Sequence, residues 1–467
     1  MKLRLYNTLT RQIGELEPSR EDGVVGIYTC GPTVYNYQHI GNYRTYIFED
    51  SLRRGLDLLG YKVRHVMNVT DVGHLTSDAD EGEDKMDAAA RREGKTAWEL
   101  AALYTRAFQE DIRKLRILEA DVLCRATEHI PEQIALVRRL EEKGFTYKTS
   151  DGVYFDTSKF PDYGRLMGGA RLAGNQEGAR VQANPEKRNP GDFALWKLSP
   201  KDKQRQMEWD SPWGKGFPGW HIECSAMAMK YLGETFDIHC GGVDHIPVHH
   251  TNEIAQAEAA TGKPFVRVWL HGEFLVLNKA KMAKSAGGFI RLADIEAKGV
   301  DALDYRYFCY GAHYRRQLEF SWEALEAAKA GRARLKERAT DLFRGDGSPD
   351  PGASAAADAA MEGFKARVAD DLDMPGALAF VWEALKPGKM PAPVQKELLR
   401  RVDAVLSLGL AEPSGETLSP EQQGLFDRYI DARKRKDYAA SDSLRKELTL
   451  KGVRVKDTPK GSIWSRV

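Results

Sequence analysis

Five of the eleven histidines fall between His221 and His250, in the company of Cys224, Cys240 and Glu253. Imidazoles, thiols and a carboxylate at that density are the donor types of a zinc site, which takes four borderline-soft ligands in a tetrahedron. Helical spacing after Pro247 puts His249 and Glu253 four residues apart, on one face of the helix running through Asn252 and Gln256. Cys224 opens another helical run, to Met229. A further thiol, Cys30, stands in the turn Thr29-Cys30-Gly31-Pro32-Thr33. One thiolate from that turn, one from Cys224, an imidazole and a carboxylate would complete a four-ligand site. A lone buried cysteine ordinarily packs as a small hydrophobe. Cys240 and Cys309 are read that way, although Cys240 is near enough in sequence to compete for the metal.

A second chemistry is suggested by His39-Ile40-Gly41-Asn42 and by Lys281-Met282-Ala283-Lys284-Ser285. The first follows an apolar run, Val24 to Thr29, that reads as a buried strand. It precedes an amphipathic stretch, Tyr43 to Leu59, with Ile47, Leu52, Leu56 and Leu59 near helical spacing and a stop at Gly60. Val63 to Val69 reads as the next strand. Strand, glycine-containing turn, helix and strand within about 45 residues make a βαβ unit, whose turn offers backbone N–H groups to an anion. Asn68-Val69-Thr70-Asp71 then lies at a strand's carboxyl end, where open parallel sheets keep their ligands. The two lysines sit in a short loop ahead of Ala286-Gly287-Gly288; most such pairs are only solvated.

These elements need more than one domain to hold them, since 467 residues exceed a single core. The organisation expected is an α/β, Rossmann-type parallel-sheet catalytic domain split by an insertion, then a helical bundle and a small C-terminal domain. Residues 1–120 form the first half, 121–209 the insertion and 210–290 the second half. Residues 291–411 are helical, rich in Ala, Leu, Glu, Lys and Arg, and 412–467 stand apart after Glu412-Pro413-Ser414-Gly415. In the insertion a helix is expected near Pro131 to Lys143, a hairpin at Tyr147 to Asp156, and return to the sheet near Gly219. The formal net charge of +1 offers no general field for nucleic acid. From Arg428 to Val467, however, twelve Lys/Arg face five Asp/Glu, a local charge of +7. Five cysteines are too few for a disulfide scaffold. Neither a signal peptide nor an apolar run of about 18 residues is evident. A soluble, cytoplasmic protein is expected.

Taken together, these residues resemble the class I aminoacyl-tRNA synthetases, and within them the bacterial cysteinyl branch. His39 to Asn42 looks like the first family signature and Lys281 to Ser285 like the second. Gly219-Trp220-His221-Ile222-Glu223-Cys224-Ser225 is similar to the segment that carries a zinc cysteine in that branch. The resemblance extends to the closing Asp457-Thr458-Pro459-Lys460-Gly461 and Trp464. It implies one zinc per chain on Cys30, Cys224, His249 and Glu253, with ATP, Mg²⁺, L-cysteine and tRNA(Cys) as the other partners. It also implies catalytic roles for His39, Asn42, Lys281 and Lys284, nucleotide contacts from Gly41, Gly241, Gly242 and Asp244, and an amino-acid pocket at Gly31, Thr70 and Trp220. The C-terminal unit would bind the anticodon of the tRNA, and a monomer without membrane attachment is expected. Ala283, Phe217, Cys240, His245 and Val248 depart from the usual Ser, Arg, Gly, Leu and Pro. Two rivals share parts of this pattern: a ligase joining cysteine to an amino-sugar, and a non-catalytic tRNA-binding paralogue.

Overall fold

The computed structural model describes residues 1–73, 84–168, 185–200, 205–277, 280–281, 289–344, 351–411, 418–458 and 461–466. Two units separate within the chain, Met1–Ala411 and Glu412–Val467.

A short hairpin, β1 (Arg4–Asn7) with β2 (Gln12–Glu15), precedes the first strand of the main sheet, β3 (Val24–Thr29). β3 is buried from Val25 to Thr29, as a strand covered on both faces must be. Helix α1 (Ile40–Leu58) follows, and β4 (Lys62–Val69) lies parallel to β3 with Thr29 opposite Met67. The connection to the next strand carries α2 (Lys85–Glu93) and α3 (Ala97–Lys114), the latter begun by a capping box between Thr96 and Glu99. β5 (Val122–Arg125) then adds in parallel to β4.

The insertion consists of α4 (Ile130–Glu142) and a four-stranded antiparallel sheet in chain order: β6 (Thr146–Thr149), β7 (Gly152–Phe155), β8 (Phe193–Leu198) and β9 (Gly216–Pro218). The anticipated hairpin is β6–β7, and strand pairing carries this sheet on to Pro218. At Gly219 the chain enters a helix, α5 (Trp220–Leu232), and the parallel sheet resumes only with β10 (Phe236–Gly242). α6 (His249–Thr261) and β11 (Val266–Gly272) complete the strand order β11-β10-β3-β4-β5. β3 thus has its successor β4 on one side and the distant β10 on the other. That reversal opens a crevice at the carboxyl ends of the strands, where doubly wound sheets bind ligands.

Beyond it, β12 (Leu275–Leu277) and β13 (Ala280–Lys281) lead to α7 (Leu292–Glu296), α8 (Ala302–Cys309) and β14 (Leu318–Phe320), which pairs with β12. Four longer helices follow: α9 (Trp322–Arg344), α10 (Pro351–Ala369), α11 (Met374–Ala384) and α12 (Ala392–Leu406). The wholly buried Arg306 on α8 ties this region to α1 and to the end of α3. It pairs with Asp50 of α1 and donates to the carbonyls of Leu115 (2.9 Å) and Leu406 (2.8 Å).

The second unit has its own core. α13 (Pro420–Lys434) and α14 (Tyr438–Leu450) pack Leu425, Phe426, Tyr429 and Leu448 with Val453 of a hairpin, β15 (Val453–Thr458) and β16 (Gly461–Arg466). Trp464 is partly buried against that core. Among the described residues no helix is long and apolar enough to cross a membrane.

Candidate metal centre and active site

Cys30 is the first residue past β3, Cys224 lies one turn into α5, and α6 presents His249 and Glu253 from successive turns. The fold brings these four together. One donor atom from each falls within 4.8 Å of all the others, and all four residues are buried. Glu253 Oε1 is 3.0 Å from His249 Nε2 yet accepts no well-directed hydrogen bond, so a buried carboxylate oxygen is left to another partner. Burial drives the Cys30 thiol well above its ordinary range, and Cys224 adds to the effect. Cys224, hydrogen-bonded to Cys30, moves the other way, to about 7. Burial opposes charge on both His249 and Glu253, but His239 and His249 together pull Glu253 below its ordinary value, and Glu253 and Cys224 raise His249 above its own. Two sulfurs sharing a proton beside a buried carboxylate are short of positive charge. A divalent, thiophilic cation fits that donor set.

A second tetrad, Cys30, His239, His250 and Glu253, is also within range. It offers one sulfur where the first offers two, so the first suits zinc better. The extra histidines instead form a layer behind it. His239 Nε2 lies 3.1 Å from Glu253 Oε2, and His221 Nδ1 lies 3.0 Å from His249 Nδ1. His250 Nε2 is 3.4 Å from Cys30 Sγ, and its Nδ1 is 2.8 Å from His271 Nε2. Sequence reasoning leaves His239, His250 and His271 unassigned. The usable signal is strand alternation, which puts His239 and Gly241 on one face of β10, with His271 paired to Gly241 across the parallel register. The same alternation sends Cys240 to the other face, where it joins the core that includes Ile47 and Leu52 of α1.

The turn after β3 leaves no room for a side chain at Gly31, where a Cβ would overlap the Asn68 carbonyl. Asn68 Oδ1 accepts from Gly31 N (2.9 Å), and its amide donates to Thr70 Oγ1 (3.0 Å). Gly31 and Thr70 therefore share one wall. The Trp220 ring lies 4.4 Å from that of His249, beside the candidate metal tetrad. His39 caps α1: its Nδ1 accepts from Asn42 N (3.1 Å), while Asn42 Oδ1 accepts from His39 N (3.2 Å). With Nδ1 committed as an acceptor, the ring proton of a neutral His39 sits on Nε2. A Cβ at Gly41 would press on that ring at 2.9 Å. Gly241 and Gly242 end β10, and Asp244 follows at the crevice rim. Lys281 is described only as backbone of β13, and Lys284, with Ala283, lies outside the described residues.

A family model described as the tRNA synthetases class I (C) catalytic domain matches residues 16–330. The cysteine–tRNA ligase 1 of Burkholderia lata is 52% identical over 466 residues, covering 99% of this chain and 96% of the relative. The cysteine–tRNA ligase of Treponema denticola is 45% identical over 494 residues and is covered, like this chain, in full. Among solved structures, Mycobacterium tuberculosis methionyl-tRNA synthetase bound by methionyl-adenylate matches with a TM-score of 0.56 at 17% identity, over 89% of this chain and 96% of that one. That likeness is one of fold. With a parallel sheet, a capped helix and a buried tetrad carrying two thiols at its switch point, and matched over most of its length by the family model, the chain belongs to the class I (C) tRNA synthetases.

Proposed function

We propose that the chain is a cysteine–tRNA ligase, which activates L-cysteine with ATP and passes the cysteinyl group to the terminal ribose of tRNA(Cys). The observation that carries this reading is the thiol-bearing tetrad at the switch point, one of whose thiols, Cys30, begins the connection from β3 to α1. In the first step the amino-acid carboxylate attacks the α-phosphate of ATP and pyrophosphate leaves. In the second, a ribose hydroxyl attacks the adenylate. The protein contributes mainly position and charge.

His39 directs its Nε2–H, and Asn42 its amide NH₂, toward phosphate oxygens at the amino end of α1, whose dipole favours negative charge. The capping box that commits their other polar atoms also fixes both side chains in place. Lys281 and Lys284 offset the charge that grows as pyrophosphate departs. Gly41, Gly241, Gly242 and Asp244 admit and hold the nucleotide, whose phosphates bring Mg²⁺. Trp220, Thr70 and Gly31 wall the amino-acid pocket.

Cysteine must be told from serine, and an apolar pocket separates such near-isosteres by only about 1–3 kcal/mol. Zinc held by Cys30, Cys224, His249 and Glu253 would supply the difference, because a thiol loses its proton on coordination far more readily than an alkyl hydroxyl. On this reading residues 1–120 and 210–290 are the catalytic halves, 121–209 connect them, 291–411 span toward the tRNA stem, and 412–467 bind the anticodon. The amino-sugar ligase would share the thiol site but has no use for a C-terminal unit whose stretch from Arg428 to Val467 carries a local charge of +7.

Cysteine-dependent ATP–pyrophosphate exchange, run beside charging of bulk tRNA, tests the proposal. Both activities are expected in the wild type, and Cys224→Ala should lose cysteine activation together with bound metal. Exchange without any tRNA charging would favour the amino-sugar ligase instead.

A further inference from the structure

One line of hydrogen bonds leaves the candidate metal tetrad at Cys30 and reaches the N-terminal hairpin. From Cys30 Sγ it passes to His250 Nε2 at 3.4 Å, from His250 Nδ1 to His271 Nε2 at 2.8 Å, and from His271 Nδ1 to Thr8 Oγ1 at 2.8 Å. Thr8 follows β1 in the N-terminal hairpin and is held there by its backbone. Its N–H donates to Trp269 O (2.9 Å), while Asn7 donates to Arg267 O (2.8 Å) and accepts from Trp269 N (3.1 Å). Hairpin docking on β11 therefore does not depend on the Thr8 hydroxyl.

We propose that Thr8 and His271 are positioning residues for the metal centre, fixing His250 as a hydrogen-bond donor to the Cys30 sulfur. This inference rests on the reading of Cys30 as a metal ligand. A ligating thiolate has no proton and can only accept. His250 Nε2 must then carry the hydrogen, which leaves Nδ1 of the uncharged ring as an acceptor. His271 Nε2 is the atom placed to donate to it. Burial pushes His271 well below the ordinary histidine range, so its ring carries a single hydrogen near neutral pH. With that hydrogen on Nε2, His271 Nδ1 in turn needs a donor, and Thr8 O–H is 2.8 Å away. Each link uses one hydrogen and no ring need be charged. The last group has to be a donor, which the Thr8 hydroxyl can be. Carboxylate or carbonyl oxygens in place of Thr8 would reverse the chain and leave a lone pair of His250 facing the sulfur. The outer end opens on a cavity of about 520 Å³ lined also by Arg11, Glu273 and Arg315. Partners that orient a ligand in this way typically change metal affinity by about 10–100-fold when removed.

The test uses the full chain loaded with Co²⁺ or Zn²⁺ and titrated with a competing chelator. Thr8→Val keeps size and backbone contacts but removes the donor. It should weaken metal binding by about tenfold and perturb the cobalt–thiolate charge-transfer absorption, and Thr8→Ser should restore both. His271→Ala should weaken binding further, within the same range. If Thr8→Val holds metal and keeps the absorption band as the wild type does, or if Thr8→Ser falls as far as Thr8→Val, the inference is wrong. Cys30→Ser and Cys224→Ser serve as the reference. Their retaining full affinity would overturn the metal reading itself, whereas their losing metal beside an unaffected Thr8→Val overturns only the role given to Thr8.

Discussion

Glu49 is held in surroundings hostile to its charge. It is 2% exposed on α1, and neither carboxylate oxygen has a hydrogen-bond partner among the described residues. Burial raises its pKa well above the ordinary carboxylate range. In the unfolded chain the same group ionises near 4.3. Between those two values the unfolded state binds fewer protons than the folded one, so stability falls as pH rises. Glu49→Gln should therefore be more stable than the wild type at pH 8 and show a flatter profile from pH 5 to 8, by up to about 1.4 kcal/mol per pH unit. Urea unfolding across that range reads it directly, and parallel profiles would refute it. At His39 two roles occupy one ring. His39→Asn keeps a good N-cap but loses the Nε2–H donor. Its melting temperature is expected to stay near that of the wild type, while adenylate formation slows by about 10²–10³-fold. A large loss of stability with unchanged pre-steady-state rate would mean that capping is its whole contribution. His249 and Glu253 are legible in the sequence because a helix repeats every four residues. Strand alternation gives the face of β10 on which His239 lies, but its significance, like that of His250, depends on β10 lying beside β3, a tertiary fact that spacing does not encode.

Among elements, α1 connects the most. Its amino end presents His39 and Asn42, and farther along it buries Asp50 against Arg306 of α8, both fully inaccessible. Arg54, one turn on, also reaches Asp50, at 2.8 Å. Burial alone would raise the Asp50 pKa, but Arg306 and Arg54 lower it below its ordinary value. The stabilisation is therefore present above the unfolded value near 3.9 and is lost as pH falls through the lower folded one. Removing one partner leaves the other charge stranded. Asp50→Asn should cost about 3–5 kcal/mol in guanidinium unfolding, and adding Arg306→Met should recover part of that loss. A cost below 1 kcal/mol would show that the pair is incidental. The apolar periodicity of α1 is plain in the sequence, because one stripe faces the sheet. The four-stranded sheet of the insertion is only half legible. β6 and β7 are joined by a tight turn, whereas β8 meets β7 across a long excursion and β9 is only three residues long.

On the scale of the whole molecule, the unit Glu412–Val467 has a core of its own, so its removal should leave the catalytic unit folded. A chain ending at Ala411 is expected to keep cysteine-dependent pyrophosphate exchange near the wild-type level. Its charging of tRNA should fall by orders of magnitude, mainly through weaker, salt-dependent binding. Wild-type charging by the shortened chain would remove any role for the unit in tRNA recognition. The pairing of β3 with β10, which sets Ile27 beside Ile238, has a consequence in time as well as in space. About 200 residues must be gathered before those strands meet, and closing so long a loop is slow compared with forming local helices. Cys30 arrives from one side of that closure, and Cys224, His249 and Glu253 from the other. Metal capture by a refolding chain should accordingly lag behind the recovery of helix, making the ion a clock for the moment when the two halves of the sheet become one.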